Sequence, residues 1–239
     1  MQTAAYITLS NQLATQRQIE TIANNIANSS TTAFKGERVM FQEFLIPSGN
    51  GQTASYVHDV GTTRDTRQGP ITRTSNPLDV ALNGGGYLSV QTPEGQRFTR
   101  NGRMHLNPQG EIVTSEGYTV LGEGNSPLTI PGGSDKVSIG QDGTVAAGQA
   151  RIGKLQVVKF DRPQAMTPAG AGLYQTDETP QPATDTKVEQ SSLEESNVQT
   201  VLEITRLMEL TRNSGISKDF LDGESDRLKN AIEKLGKVV

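Results

Sequence analysis

Histidine and cysteine are the side chains that most readily hold a metal or move a nucleophile's proton, and this 239-residue chain carries two of the first and none of the second. His58 and His105 stand alone. Neither lies in a His-Glu-x-x-His spacing, which would set two ligands one turn apart on a helix, so no metal site is expected. The adjacent carboxylates Glu194 and Glu195 could form an acid–base pair. They fall, however, where a helix is expected to begin, and there negative charge favours the exposed N–H groups. The glycine-rich run LNGGGYLSV, residues 82–90, follows an expected strand as a phosphate loop would. It lacks a Gly-Lys-Ser/Thr ending, and a second strand follows it instead of a helix, so it reads as a tight turn. No serine occupies a Gly-x-Ser-x-Gly elbow. The chain is read as a non-enzyme that needs no cofactor.

A different kind of pattern stands near the beginning. From Thr3 to Asn28, Leu9, Leu13, Ile19, Ile22, Ala23, Ile26 and Ala27 fall within one half of a helical wheel. Arg17, Thr21, Asn24 and Asn28 line the opposite face, and Asn28 with the Ser-Ser-Thr-Thr after it supplies cap and turn residues. Asn24, Asn25 and Asn28 carry two readings. At a helix–helix seam they would fix register, because a misaligned neighbour would leave an amide unpaired; near a helix end they would simply face water.

The middle of the chain changes period. From about Ile71 to Leu173, short β-type runs alternate with Asn-Gly, Pro-Gln-Gly, Ser-Glu-Gly and Asp-Gly turns, which predicts an antiparallel, mostly β domain. Residues 177–196 are polar and proline-bearing and read as a link leading away from it. Helical periodicity then resumes, with Val198, Val201, Leu202, Thr205 and Met208 on one stripe and Ile204 and Leu207 on another side. A helix apolar on more than one side must be covered on more than one side. Beyond Gly215 a further helix is expected, with Leu221, Leu228, Ile232, Leu235 and Val239 near heptad spacing.

The expected fold is therefore α+β, with N- and C-terminal helices packed together as a coiled-coil-like layer and a central antiparallel β domain. The boundaries fall at 1–35 for the first helix, 36–70 for an extended linker, 71–180 for the β domain, and 181–239 for a linker and the last helix. Neither terminal helix has a partner nearby in sequence, so they are expected to pack on each other and to offer leftover apolar surface to other copies. The candidate assembly residues are Leu9, Leu13, Ile19, Ile22, Asn24, Asn25, Ile26 and Asn28 on the first helix and Val198, Val201, Leu202, Thr205 and Met208 on the last.

Composition narrows the partners. A net charge of −4 with scattered Lys and Arg provides no field to gather phosphates, so no nucleic acid is expected. No apolar stretch approaches the roughly 20 residues that cross a bilayer, so no membrane span is expected, and the first basic residue, Arg17, comes too late for a secretory n-region. With no thiol, the chain is indifferent to the redox state of its compartment.

Three stretches are similar to a known family. TIANNIANSSTTAFKGERVMFQEFL, residues 21–45, resembles the N-terminal signature of the bacterial flagellar axial proteins, in which an Asn-rich core precedes a Thr-rich turn and an aromatic-Lys pair. NPLDVALNGGGYLSVQTPEGQRFTRNGRMHLNPQGEIVTSEGYTVLG, residues 76–122, resembles the middle of the rod and hook group, including its Thr-Arg-x-Gly element. LEESNVQTVLEITRLMELTR, residues 193–212, is similar to that group's C-terminal Ser-Asn-Val helix.

The resemblance implies a structural subunit of a hollow helical rod. In such a subunit the terminal helices form an inner layer with the β domain outside, and the Asn seam sets register. It implies copies of the chain and other rod proteins as partners, unfolded passage through the flagellar type III export apparatus, and assembly in the periplasmic part of the basal body. Short length and a modest β insertion look most like a proximal rod subunit, with a distal rod or hook-type axial subunit as the rival. LTRNSGISKDFLDG, residues 210–223, departs from the group's uninterrupted last helix by bringing in Gly215 and Gly223. Two other classes compete: a β-domain module that binds a peptide, and a carbohydrate-active enzyme, which would need two carboxylates facing one cleft.

Overall fold

The apolar period of the first 28 residues folds as helix α1, Gln2–Ala27. A computed structural model describes residues 2–48, 52–131 and 137–236 of the chain. Its contacts divide the chain into one unit of Met1–Ala27, Glu37–Arg64 and Gln199–Val239 and another of Asn28–Gly36 and Asp65–Val198.

In the first unit, α1 packs against a hairpin and a second helix. The hairpin is built from β1, Glu37–Ser48, and β2, Gln52–Arg64. The pairing is antiparallel from Glu37 opposite Arg64 to Ser48 opposite Gln52, with a register shift between Met40 and Phe41. This corrects the reading of 36–70 as a linker. Its β-branched and aromatic residues do extend, but they extend in pairs.

The second helix, α2, runs unbroken over Thr200–Gly236, so the break expected near Gly215 does not occur. A glycine inside a helix costs only about 1 kcal/mol relative to alanine, too little to split a helix of 37 residues.

The second unit is antiparallel β structure. Its main sheet runs Thr167–Pro168, Leu173–Gln175, Gly95–Thr99, Tyr87–Thr92, Thr119–Gly122, Ile112–Thr114 and Met104–Leu106, with Val157–Lys159 also paired to Tyr87–Thr92. A smaller sheet joins Val137–Ile139, Thr144–Ala147 and Ala150–Lys154. Successive strand residues point to opposite faces, and the central strand Tyr87–Thr92 is covered on both. Leu88 and Val90 enter a cluster with Val80, Leu82, Met104, Ile112 and Val120, while Tyr87 enters an aromatic cluster with Phe98, Phe160 and Tyr174. Phe98 and Phe160 meet edge to face at 4.7 Å.

The stretch read as a link, 177–196, belongs to this unit. Lys187–Gln190 pairs antiparallel with Val80–Asn83, and Ser192–Glu194 with Ile71–Arg73. Polarity misled the reading because Val188 is the one fully buried residue of the first strand, and the buried residues of the second include a serine and a glutamate.

One glycine sets how closely these segments approach. The Val80 N–H donates to the Gly102 carbonyl at 3.0 Å, and a Cβ on Gly102 would lie 1.8 Å from the Val80 carbonyl oxygen. Gly85, by contrast, has nothing within 4 Å of where its Cβ would be. Gly102→Ala should therefore destabilise the β unit by about 2 kcal/mol or more, and Gly85→Ala by less than about 0.5 kcal/mol, measured by urea unfolding.

Candidate assembly surface and a buried charge node

Helix α2 carries two kinds of face. Glu203, Leu207, Leu210, Ser214, Ser217 and Leu221 are buried or half-buried, and their spacing of four and three residues keeps them on one side of the helix. The apolar residues left open lie on the other side. Val201 is 81% exposed, Met208 61%, Ile216 62% and Phe220 55%, with Leu202 and Ile204 also exposed. Ile204 thus joins the outward side, whereas the sequence reading grouped it with Leu207. Thr205 is exposed on the same side, its hydroxyl donating to the Val201 carbonyl at 2.9 Å. Val198 precedes the helix and belongs to the other unit, so it is not part of the stripe.

On α1 the predicted residues divide in the same way. Leu9 and Leu13 are exposed, whereas Ile19, Ile22 and Ile26 are half-buried. Asn24 is exposed, and Asn28 is half-buried, where its carbonyl accepts the Thr31 N–H at 3.1 Å and turns the chain.

Asn25 corrects both readings offered for it, since it neither marks a seam between helices nor faces water. It is buried, its amide donates to the Glu37 carbonyl at 2.8 Å, and its side-chain oxygen accepts the Glu37 N–H at 2.9 Å. A side chain thus supplies both hydrogen bonds at the first residue of β1 and fastens that strand to α1.

The second unit holds a feature that the sequence reading missed. Glu194 lies in a strand, fully buried, instead of at a helix start. Its Oε1 accepts from the Lys35 ammonium and from the Gly69 N–H at 2.9 Å. Its Oε2 accepts from Arg100 Nε at 2.8 Å, with Arg100 Nη2 in ion-pair contact at 2.8 Å. Arg100 spends its remaining donors on the carbonyls of Leu82, Gly84 and Gly86. Lys35 also donates to the Arg67 carbonyl at 2.7 Å. Burial pushes the Lys35 ammonium below the ordinary lysine value, with Glu194 beside it acting in the opposite direction.

Asn197 completes the node. It accepts the Gly36 N–H at 2.8 Å and donates to the carbonyls of Asp65 and Arg67, each at 2.9 Å. The three stretches that carried the family resemblance therefore converge, through Lys35, Arg100, Glu194 and Asn197. The available signal was a charged residue inside each motif, but the pairing of residues 159 positions apart leaves no local trace.

Among the described residues no group of three or more His, Cys, Asp or Glu could hold a metal. A groove of about 420 Å³ in the β unit is lined by Glu123, Asp142, Lys154 and Gln156 among others. Asp142 there is held below the ordinary carboxylate range by the Thr144 hydroxyl and N–H. A general acid requires the opposite shift. The Glu123 carboxylate is paired with Lys154 at 3.0 Å.

Asn25→Ala would leave the Glu37 N–H and carbonyl without their partner and should destabilise the first unit by about 2 kcal/mol or more. Faster amide exchange at Glu37 and its neighbours in β1 would register the change. Asn25→Asp should do no better at neutral pH, because it keeps the acceptor but sets a carboxylate against the Glu37 carbonyl.

Comparison with known proteins identifies the family. Residues 6–35 match a family model described as flagella basal body rod protein, and residues 81–147 match one described as flagellar hook protein FlgE/F/G D1 domain. The chain is 38% identical over 244 residues to the flagellar basal-body rod protein FlgF of Caulobacter vibrioides, covering 100% of both chains. It is 33% identical to FlgF of Rhizobium meliloti over 99% of each chain. It is 29% identical to the rod protein FlgG of Bacillus subtilis over 66% of this chain and 67% of that one. The chain belongs to the flagellar basal-body rod protein family.

Proposed function

We propose that this chain is a structural subunit of the proximal flagellar rod, joined to copies of itself and to other rod proteins through its terminal helices. The observation that carries the reading is the outward side of α2. Val201, Met208, Ile216 and Phe220 are each more than half exposed, and a stripe of this kind is a surface made to be covered. Leu9 and Leu13 on α1 add to it. Of the candidate residues, Val201, Leu202, Thr205, Met208, Leu9 and Leu13 serve contacts between subunits. Ile19, Ile22 and Ile26 serve the contact of α1 with its neighbours in the same chain, and Asn25 the anchoring of β1.

Burying a Leu or Ile contributes about 1.5–3 kcal/mol. A few such residues at each contact, repeated around a helical lattice, make a stiff assembly from moderate joints. Stiffness of this origin is what a rod needs to carry torque without chemistry. In this reading α1 and α2 form a coiled-coil-like inner layer, for which the four-and-three spacing of the covered stripe on α2 is the support. Passage through the flagellar type III export apparatus and residence in the periplasmic rod follow from membership of the family.

Met208→Glu and Ile216→Glu test the proposal, because each puts a charge on the open side and leaves the covered stripe alone. Either should abolish incorporation into isolated basal bodies and swimming in soft agar, while the unfolding free energy of the β unit stays within about 0.5 kcal/mol of wild type. Normal incorporation of both variants would overturn it.

A further inference from the structure

The buried cations of the node and their counter-ion are far apart in the chain. Lys35 and Arg100 are 4% and 5% exposed, and the carboxylate paired with both is Glu194, residue 194 of 239. Among the described residues no other carboxylate is in ion-pair contact with either, and Asp65 attracts Lys35 more weakly than Glu194 does. Taking an ammonium and a guanidinium out of water without a counter-charge is strongly unfavourable, and the three carbonyls around Arg100 carry no net charge to offset it.

The same late segment completes the core. Val80–Asn83 is fully buried except for Asn83, and its ladder partner is Lys187–Gln190. Val188, 1% exposed, packs in the cluster with Val80 and Leu82. Gln190 donates to the carbonyls of Pro77 and Val137, and Thr74 N–H donates to the Ser191 carbonyl. The unit thus lacks two strands, the Val188 core side chain and its central anion until residues 187–197 are present.

We propose that Glu194 is a folding latch: in a chain delivered N-terminus first, the β unit stays open until Glu194 arrives to neutralise Lys35 and Arg100, and it then closes as one unit. Such a chain holds itself unfolded for most of its passage through a narrow conduit, by a device written in its own sequence. The order of folding is a property of the chain itself, whereas its use during passage rests on the export reading given above.

Refolding of the full-length chain from denaturant tests it, with pulsed deuterium labelling and mass spectrometry. In the wild type, protection of Tyr87–Thr92, Gly95–Thr99 and Thr119–Gly122 should rise in the same kinetic phase as protection of Lys187–Gln190. Protection of those strands in an earlier phase would overturn the latch. Glu194→Gln keeps the shape and removes the charge, and should speed exchange throughout the β unit on the order of a hundredfold or more. A loss confined to residues 33–36, 65–69 and 192–197 would count against the proposal.

Adding Lys35→Met to Glu194→Gln removes one of the two unanswered cations and should restore part of the protection, which a purely steric role for Glu194 would not allow. A double variant no better than Glu194→Gln would overturn the charge argument. If Glu194→Gln does not fold, the kinetic order in the wild type decides the question alone.

Discussion

A helix with apolar side chains on opposite sides cannot be satisfied by one neighbour. Helix α2 is such a helix: the side carrying Leu207, Leu210 and Leu221 is half-buried, and the side carrying Val201, Met208, Ile216 and Phe220 is open. The covered side gives the first unit its packing, with α1 and the β1–β2 hairpin as the other components. The open side has no such cover among the described residues, and the rod reading follows from asking what would cover it. Among the described residues the most deeply buried carboxylate, Glu194, is taken up in holding Lys35, Arg100 and Gly69.

The node itself is not an economical way to stabilise a fold. Replacing a buried ion pair with apolar residues of similar volume is often neutral or favourable, whereas removing one partner is costly. What a buried carboxylate with two cations contributes is selectivity among arrangements. Lys35, Gly69 and Arg100 meet one carboxylate only if the turn after α1, the segment after β2 and the strand before α2 are all correctly placed. Asn197 repeats the requirement with main-chain groups of Gly36, Asp65 and Arg67. The same condition makes folding of the β unit wait for its last strands.

Much of this was legible in the residues, and the gaps have physical causes. The bounds of α1, the antiparallel β unit and the surplus apolar surface on the terminal helices follow from periodicity and turn chemistry, which are local. The hairpin over 37–64 and the strands over 187–194 escaped because a strand is recognised by its partner as much as by its own pattern. Gly215 and Gly223 suggested a break, but glycine's preference is weak against the length of α2. Asn25 read alone leaves a helix seam and water both open, and Glu194 read alone suits a helix start, because neither has its partner nearby in sequence. Their partners, 12 and 159 positions away, are what make burial possible.

The chain contains no cysteine, so a single thiol can report on the open side of α2 without background. Cysteine placed singly at Val201, Met208, Ile216 or Phe220 should react with a maleimide in the free subunit at the rate of an exposed thiol, and should be protected in isolated basal bodies. Equal reactivity in the free subunit and in assembled rods would show that this side is never covered and would contradict the account.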